Sequence, residues 1–334
     1  MPHCFTPWEL PPANFMPLKP VSHQDNLEGQ RSVIRWRYQQ TFTPYAHTFR
    51  RLLQTHHGEW AVREGIIVQL QDPWGRMGWG EIAPLPWFGS ETLEQALAFC
   101  RQLSNPVPVD SILVIPDHLP CCQFGWGSAW ESLTRSVRNI PQGFRHCGLL
   151  PAGRAALQIW PSLWQQGYRT FKWKIGVGDG EQDCLAALLE ALPPTARLRL
   201  DANGGLTLAE AEAWLNLNDQ RIEYLEQPLP THRLSEMMGL ARQFKIPLAL
   251  DESVATVAQL QDCLAQGWPG IVILKPSIAG YPWKLRQLCQ TQPLDIVVSS
   301  VFETAVGRQA CLNLAQEIAN PHRAQGFGVD LYLS

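Results

Sequence analysis

Hydrophobic and polar residues alternate with a period of two in short segments of the second half of the chain. In TFKWKIG, Phe171, Trp173 and Ile175 alternate with Lys172 and Lys174. This is the periodicity of a β-strand, and it places both lysines on one face and the apolar residues on the other. The segment alone leaves two interpretations open, in which the lysines point either to solvent or into the protein.

Strand-like runs and helical stretches alternate regularly from about residue 146 onward. The runs are CGLL, YRTFKWKIG, ARLRLDANG, RIEYLEQP, IPLALDES, GIVILKPS, LDIVVSS and a last candidate, FGVDLYL. This alternation is typical of parallel βαβ units, and seven or eight of them favour a closed barrel over an open doubly wound sheet. An open sheet would also be expected to carry a phosphate-binding glycine motif, but GVGDGEQ has Glu181 in place of the third glycine.

The first part of the chain has a different pattern. SVIRWRYQQTF and EGIIVQLQD alternate like strands, and TLEQALAFCRQL is helical, with Thr92 and Gln95 at the spacing of a capping box. We therefore predict an α+β domain over residues 31–145 and a barrel domain, with the C-terminal segment, over residues 146–334. Residues 1–30 are rich in proline and are predicted to form an extended N-terminal arm.

A polar residue stands at the C-terminal end of each predicted barrel strand, once every 24 to 27 residues. These residues are Lys174, Asp201, Glu226, Asp251, Lys275, and Ser299 or Ser300. Each has an ordinary alternative role, such as a turn residue, a helix cap or a surface lysine. Their recurrence at one position of the repeat instead favours convergence at the barrel mouth, with Lys172 and Lys174 pointing inward.

Three carboxylates and several lysines at one mouth predict a particular chemistry. Asp201, Glu226 and Asp251 cannot all ionise together without a cation, and oxygen ligands suit Mg²⁺. A lysine near another ammonium group has a lowered pKa, so Lys172 is expected to make Lys174 a general base. The predicted reaction is removal of a proton α to a substrate carboxylate.

These motifs together resemble the enolase superfamily. KWK, DAN, EQP, DES and LKPS match its lysine and metal-ligand strand ends, and GWGEIAPLPWFGSETLEQA matches its capping domain. The resemblance implies an α/β fold, a modified (β/α)₇β TIM-type barrel with an N-terminal α+β capping domain. The spacing resembles the muconate-lactonising subgroup, since the mandelate-racemase subgroup has a histidine where this chain has VVSS.

The resemblance also implies residue roles. A lysine base and Mg²⁺ are general features of this superfamily, and Mn²⁺ is a possible substitute for Mg²⁺. The implied catalytic residues are Lys174, Lys275 and Lys172, the metal ligands are Asp201, Glu226 and Asp251, the substrate-binding residues are Ser299, Ser300 and Asn203, and Glu252 is placed behind the metal ligands. His47 or Arg50, in a capping-domain loop, is a further candidate for substrate contact.

Within the subgroup, SSVFETAVG is most similar to enzymes that dehydrate 2-succinyl-6-hydroxy-2,4-cyclohexadiene-1-carboxylate to 2-succinylbenzoate. The implied enzyme is a carbon–oxygen lyase of menaquinone or phylloquinone biosynthesis. The alternative is an N-acylamino acid racemase or a dipeptide epimerase with the same metal site. A non-catalytic barrel that only binds its ligand would be expected to lose Lys174 and Lys275, and both lysines are present.

Composition limits the partners. The net charge of −3 and the pI near 6.3 give no sign of a nucleic-acid partner, and no apolar run reaches the length of a membrane span. Nine cysteines without C-x-x-C spacing, and an N-terminus without signal-peptide character, predict reduced thiols in a cytoplasmic protein. A small carboxylate is the expected partner. The sequence leaves the oligomeric state open, with a monomer slightly favoured.

Overall fold

The computed structural model describes residues 36–55, 58–135, 144–330 and Tyr332. The predicted arm over residues 1–30 lies outside the described residues. Two sheets organise the described chain, a four-stranded antiparallel sheet and an eight-stranded parallel sheet. This arrangement confirms the predicted fold class, an α+β domain on a (β/α) barrel.

The four-stranded sheet has the order β3-β2-β1-β4 and is built on a long hairpin. Its strands are β1 (Arg37–Thr55), β2 (Gly58–Gln71), β3 (Met77–Ile82) and β4 (Val107–Pro108). The helices of this part are α1 (Leu93–Gln102), α2 (Val109–Leu113) and α3 (Pro120–Thr134). The predicted capping box at the start of α1 is confirmed, because Thr92 and Gln95 exchange both of its hydrogen bonds.

Helix α3 lies directly against strand β3. A Cβ atom added at Gly80 would stand 1.9 Å from the carbonyl oxygen of Gly125, and one added at Gly78 would stand 2.1 Å from that of Ala129. Only glycine therefore permits this approach of the two backbones. The helix is buried on nearly all sides, which explains why its sequence, PCCQFGWGSAWESLT, carries no amphipathic stripe.

The eight-stranded sheet closes into a barrel. Its strands are β5 (His146–Leu149), β6 (Thr170–Lys174), β7 (Arg197–Asp201), β8 (Ile222–Glu226), β9 (Leu248–Leu250), β10 (Ile271–Leu274), β11 (Asp295–Val298) and β12 (Gln325–Gly328). The order is β11-β10-β9-β8-β7-β6-β5-β12, and a parallel bridge between Ser299 and Gly326 joins its two ends. The last strand begins two residues before the predicted FGVDLYL segment and shares only Phe327 and Gly328 with it.

Helices cover the outside of the barrel. They are α4 (Ala156–Gln165), α5 (Glu181–Ala191), α6 (Leu208–Leu215), α7 (Leu234–Gln243), α8 (Val257–Ala265), α9 (Pro276–Ala279), α10 (Pro282–Thr291) and α11 (Ala305–Ile318). Short 3₁₀ helices occur at Pro86–Phe88, Gly153–Ala155, Thr231–Arg233 and Glu252–Val254. The domain boundary at residue 145 stays a prediction; it falls between the end of α3 and the start of β5.

The main hydrophobic core lies between the barrel strands and these helices. Phe171, Trp173 and Ile175 belong to it and are fully buried, so the apolar face of β6 points outward to the helix layer. The predicted strand register is therefore correct, and Lys172 and Lys174 face the barrel axis.

All eight cysteines in the described segments are free thiols. Among the described helices, none has the length and apolar character needed to cross a bilayer.

Candidate active site

A cavity of about 390 Å³ opens at the C-terminal ends of the barrel strands. All ten residues predicted for the site line it: Lys172, Lys174, Asp201, Asn203, Glu226, Asp251, Glu252, Lys275, Ser299 and Ser300. The N-terminal domain closes it from above through Leu52, Leu53, Trp60, Trp87 and Phe88. This volume is within the usual range for small-molecule sites. His47 and Arg50 lie in strand β1 and not in the expected loop, and neither is part of the lining.

Strand register brings the central groups side by side. Lys174 on β6 pairs with Asp201 on β7, and Asp201 pairs with Glu226 on β8. In parallel strands, residues that pair in register and face the axis project to the same level of the barrel. The recurrence of polar residues in the sequence thus becomes a ring of side chains around the mouth.

The ammonium group of Lys172 lies between two carboxylates. Its Nζ atom is 2.7 Å from Asp201 Oδ2 and 3.0 Å from Glu226 Oε1. Burial alone would lower the pKa of Lys172, but the charges of Asp201, Glu226 and Asp251 outweigh burial and hold that pKa well above its ordinary value. Lys172 is therefore a fixed cation and is unsuited to accept a proton.

Lys174 has different surroundings, although it lies only two residues further along β6. It forms no ion pair with any of the described residues, and burial lowers its pKa. The positive charge of Lys172 adds to this lowering, while Asp201 opposes it. Lys172 thus acts on Lys174 in the predicted direction, but the larger cause is burial.

Lys275 approaches the ring of carboxylates from β10. Its ammonium group forms a buried ion pair with Asp251, and Nζ lies 4.3 Å from the centroid of the Phe88 ring of the N-terminal domain. A cation over an aromatic face is attracted by the ring quadrupole. Lys275 therefore places a positive charge across the mouth, and Asp251 and the Phe88 ring fix its position.

One of the three predicted metal-ligand carboxylates retains an unused acceptor. Burial, together with repulsion from Asp201 and Asp251, raises the pKa of Glu226 to about 8, and Oε2 of Glu226 has no hydrogen-bond partner among the described residues. Such a buried, unpaired oxygen is costly unless a cation or donor approaches it. Among the described residues, no three acidic, histidine or cysteine side chains are arranged around a metal position; the ammonium groups of Lys172 and Lys275 contact these carboxylates instead.

Comparison with known proteins decides the family. The family model "Enolase C-terminal domain-like" matches residues 158–333, and "MenC, N-terminal domain" matches residues 45–133. The o-succinylbenzoate synthase of Thermosynechococcus vestitus is 41% identical over 309 residues, which cover 90% of this chain and 94% of that protein. The chain belongs to the o-succinylbenzoate synthase family of the enolase superfamily. The predicted resemblance is confirmed.

Other members support this assignment. The o-succinylbenzoate synthase of Edwardsiella ictaluri is 34% identical over 270 residues, covering 76% of this chain and 78% of its own. The crystal structure of the Thermosynechococcus elongatus o-succinylbenzoate synthase, with magnesium in its active site, matches with a TM-score of 0.80 and 41% identity, covering 89% of this chain and 94% of that one. A dipeptide epimerase from Methylococcus capsulatus has a TM-score of 0.79 and covers 89% and 92%, but at 18% identity it shows only the shared fold.

In this member of the o-succinylbenzoate synthase family, two left-handed residues shape the strand ends. Asn203 and Gln227 have φ angles of 44° and 37°. The Asn203 amide donates to Glu252 Oε1 at 3.1 Å, which links a residue predicted to bind substrate to the residue predicted behind the metal ligands. Gln227 is fully buried, and its Oε1 atom accepts from the backbone N–H of Asp251 at 3.0 Å. Gln227, in EQP, thus fixes Asp251, a role that sequence reasoning missed.

The two serines predicted to bind substrate already have protein contacts. Ser300 donates its hydroxyl to Glu303 and accepts from the backbone N–H of Phe302 at 2.9 Å. Ser299 lies against Gly326, where an added Cβ atom would stand 2.6 Å from its hydroxyl. Both line the cavity, but the Ser300 hydroxyl first stabilises the local loop.

Arg199 is a second residue that sequence reasoning missed. It is buried inside the barrel below Asp201, donates from Nε to Glu223 at 2.8 Å, and leaves Nη2 without a partner among the described residues. It also lines the cavity. The signal was present in RLRLD, whose alternation places Arg199 on the same face as Asp201.

Proposed function

We propose that this chain is an o-succinylbenzoate synthase, which removes water from 2-succinyl-6-hydroxy-2,4-cyclohexadiene-1-carboxylate to form 2-succinylbenzoate. The observation that carries the proposal is the placement of Lys174. It lies in register with Asp201 at the mouth of the cavity, free of an ion pair with any described residue, and beside it stands a ring of three carboxylates. This arrangement suits removal of a proton next to a substrate carboxylate. Membership of the o-succinylbenzoate synthase family supports the choice of substrate.

Lys174 performs both proton transfers in this proposal. The neutral amine takes the proton from C1 of the ring, the carbon that bears the carboxylate. The resulting ammonium group then gives a proton to the C6 hydroxyl on the same face. The C6–O bond breaks, water leaves, and the ring becomes aromatic. The lowered pKa of Lys174, caused mainly by burial, supports its role as a base.

Asp201, Glu226 and Asp251 would hold the magnesium ion. Their oxygen-only donor set fits a hard cation, and the unpaired Oε2 of buried Glu226 gives such an ion a free acceptor. When bound, Mg²⁺ supplies positive charge for the negative charge that develops on the substrate carboxylate. Lys172, now between two of these carboxylates, would keep their orientation. We propose Mn²⁺ as a substitute.

The other lysine and the polar lining residues orient the substrate. Lys275 holds its positive charge above the ring of the substrate and takes no proton in this mechanism. Its contact with the face of Phe88, which favours a cation, supports this role. Ser299, Ser300 and Asn203 face the substrate, and Glu252 acts through Asn203. These roles rest on position in the cavity.

We place the reaction in menaquinone or phylloquinone synthesis. The eight free cysteines among the described residues support a reducing, cytoplasmic compartment. We propose a monomer whose partner is a small carboxylate, without nucleic acid.

The test compares two substrates on one enzyme preparation with Mg²⁺. We expect loss of the cyclohexadiene absorbance and formation of 2-succinylbenzoate, with little racemisation of N-succinyl amino acids. Efficient racemisation with no dehydration would contradict the proposed function and leave the fold and family assignment untouched.

A further inference from the structure

A buried carboxylate outside the proposed machinery joins the two domains. Glu81, on β3 of the N-terminal domain, is fully buried. It accepts the hydroxyls of Tyr45 and Thr304, the backbone N–H of Thr304 at 3.0 Å and the backbone N–H of Gly307 at 2.9 Å. Two of its partner residues, Thr304 and Gly307, lie at the start of α11 in the barrel. The helix dipole there also favours a negative charge.

All four contacts of Glu81 come from donors. An ionised carboxylate satisfies four donors with its two oxygens, whereas an amide of the same shape would turn an NH₂ group toward at least one of them. Hydrogen bonds to a charged acceptor are also about twice as strong as neutral ones. The contact set therefore selects glutamate in particular.

Two glycines make room for this contact. A Cβ atom added at Gly307 would stand 2.8 Å from Glu81 Oε2, and one added at Gly65 would stand 2.5 Å from the Tyr45 hydroxyl. Neither glycine has a positive φ angle, so the backbone conformation at these two positions would also permit residues other than glycine. Their small size is what the approach of Glu81 and Tyr45 requires.

The chain just before Thr304 carries backbone strain. Phe302 has a φ angle of 63°, in the left-handed region that bulky residues avoid at a cost on the order of 1 kcal/mol or more. Its N–H donates to Ser300 Oγ at 2.9 Å, and Ser300 in turn donates to the buried Glu303. Glu303 also accepts from Ser277 at 2.7 Å. Contacts on both sides thus hold Phe302 in this conformation.

The left-handed conformation places the Phe302 ring in the cavity wall. Its centroid lies 5.5 Å from those of Phe49 and Trp60 and 6.0 Å from that of Tyr332, all edge to face. Phe302, Trp60 and Tyr332 line the cavity. This aromatic wall contains residues of both domains, so its shape depends on how the segment 300–304 is anchored.

We propose that Glu81 is a positioning residue, which anchors Thr304 across the domain interface and so holds the Phe302 ring in the wall of the substrate cavity. The wall selects a ligand with a flat cyclic body. The inference rests on the proposed function for its kinetic readout only. Amide exchange tests the anchoring without substrate.

The first experiment measures hydrogen exchange of the Thr304 and Gly307 amides in the complete enzyme. Glu81→Gln should speed exchange of both amides by about tenfold or more, because each loses a bond to a charged acceptor. Glu91→Gln is the matched control. Glu91 is also buried in the N-terminal domain and accepts backbone N–H groups of Cys121 and Cys122 at a helix start, at 3.0 and 2.7 Å. Unchanged exchange in Glu81→Gln, or equal changes in the control, would overturn the proposed anchor.

The second experiment is a double-mutant cycle with Phe302→Ala. Glu81→Gln should lower kcat/KM by roughly 10-fold to 100-fold, mainly through KM, and should have almost no further effect once the Phe302 ring is absent. An equal loss in both backgrounds would show that Glu81 does not act through Phe302. If Glu81→Gln fails to fold, Thr304→Val removes one of the four donors and tests the same cycle. A wild type without dehydratase activity would refute the proposed function, while the exchange result would still decide the anchor.

Discussion

Lys172 and Lys174 lie on the same face of β6, and replacing each by methionine should separate stability from catalysis. Lys172 Nζ lies 2.7 Å from Asp201 and 3.0 Å from Glu226, with its side chain 23% exposed. Lys174 has no ion pair among the described residues. The two variants therefore remove the same charge from the same strand and differ only in the contacts that are lost.

The expected stability changes follow from these contacts. Removing one member of a buried ion pair costs about 3–5 kcal/mol, because the remaining charge is left unpaired. Partial exposure of Lys172 reduces this, so we expect Lys172→Met to lose about 2–4 kcal/mol in metal-free protein. Lys174→Met should stay within about 1 kcal/mol of wild type. The Tm of Lys172→Met should fall by roughly 3–6 °C, since each kcal/mol shifts Tm by about 1.5 °C in a chain of this size.

Two assays on the same preparations test this prediction. Urea unfolding in the presence of a chelator gives the free energy of unfolding, and solvent deuterium exchange of the substrate α-proton with Mg²⁺ gives the first chemical step. Lys174→Met should lose exchange by at least about 10²–10⁴-fold with near-normal stability. Equal stability losses would refute the described pairing of Lys172, and persistent exchange in Lys174→Met would refute its role as the base.

Three further predictions concern the metal, acid stability and one helix. Exhaustive chelation should abolish dehydration while far-UV circular dichroism stays close to native, and full activity after chelation would contradict the magnesium site. Burial opposes ionisation of Glu223, but Arg199 and Arg323 outweigh burial and lower its pKa below 4.5. The stability from Glu223 is therefore present above about pH 4.5 and is lost as the pH falls through the lowered pKa. The Glu223→Gln variant should unfold at lower urea concentration than wild type at neutral pH and should lose less stability on acidification. An acid-unfolding profile identical to that of wild type would contradict this prediction. Thr92→Ala removes the capping box of α1 and should cost about 1 kcal/mol in urea unfolding, with kcat/KM unchanged.

The repeat in the sequence was sufficient to predict the barrel and its mouth. Period-two alternation predicted that Lys172 points inward, and the recurring polar residue at each strand end identified seven further residues of the cavity lining. Asn203 and Glu252 were implied by the family resemblance. Those signals are local, since strand alternation and helix capping depend on residues a few positions apart. The capping box of Thr92 and Gln95 was predictable for the same reason.

Contacts between distant parts of the chain were not predictable in this way. Helix α3 is buried on nearly all sides, so its sequence shows no amphipathic period. Lys275 was expected at the barrel mouth, but its position over Phe88 depends on how the two domains meet. Glu81 contacts Thr304 across 223 positions of sequence, and nothing local to either residue indicates the other.

The barrel interior is itself asymmetric, and this limits how a ligand lies within it. Barrel interiors are usually filled by branched apolar side chains. Below the mouth, β9 to β11 follow that rule with Ala249, Ile273 and Val297, whereas β6 and β7 contribute Lys172 and Arg199. Buried charges need partners, and those of Lys172 and Arg199 lie in the β6–β8 half, in the carboxylates beside Lys172 and in Glu223. Below the level of Lys275, a ligand that directed a carboxylate toward β9–β11 would meet the apolar surface of Ala249, Ile273 and Val297 and lose hydration without compensation. The part of a ligand that reaches below the mouth is therefore expected to place its anionic groups toward β6–β8 and its apolar ring against β9–β11, as a cyclic carboxylate permits.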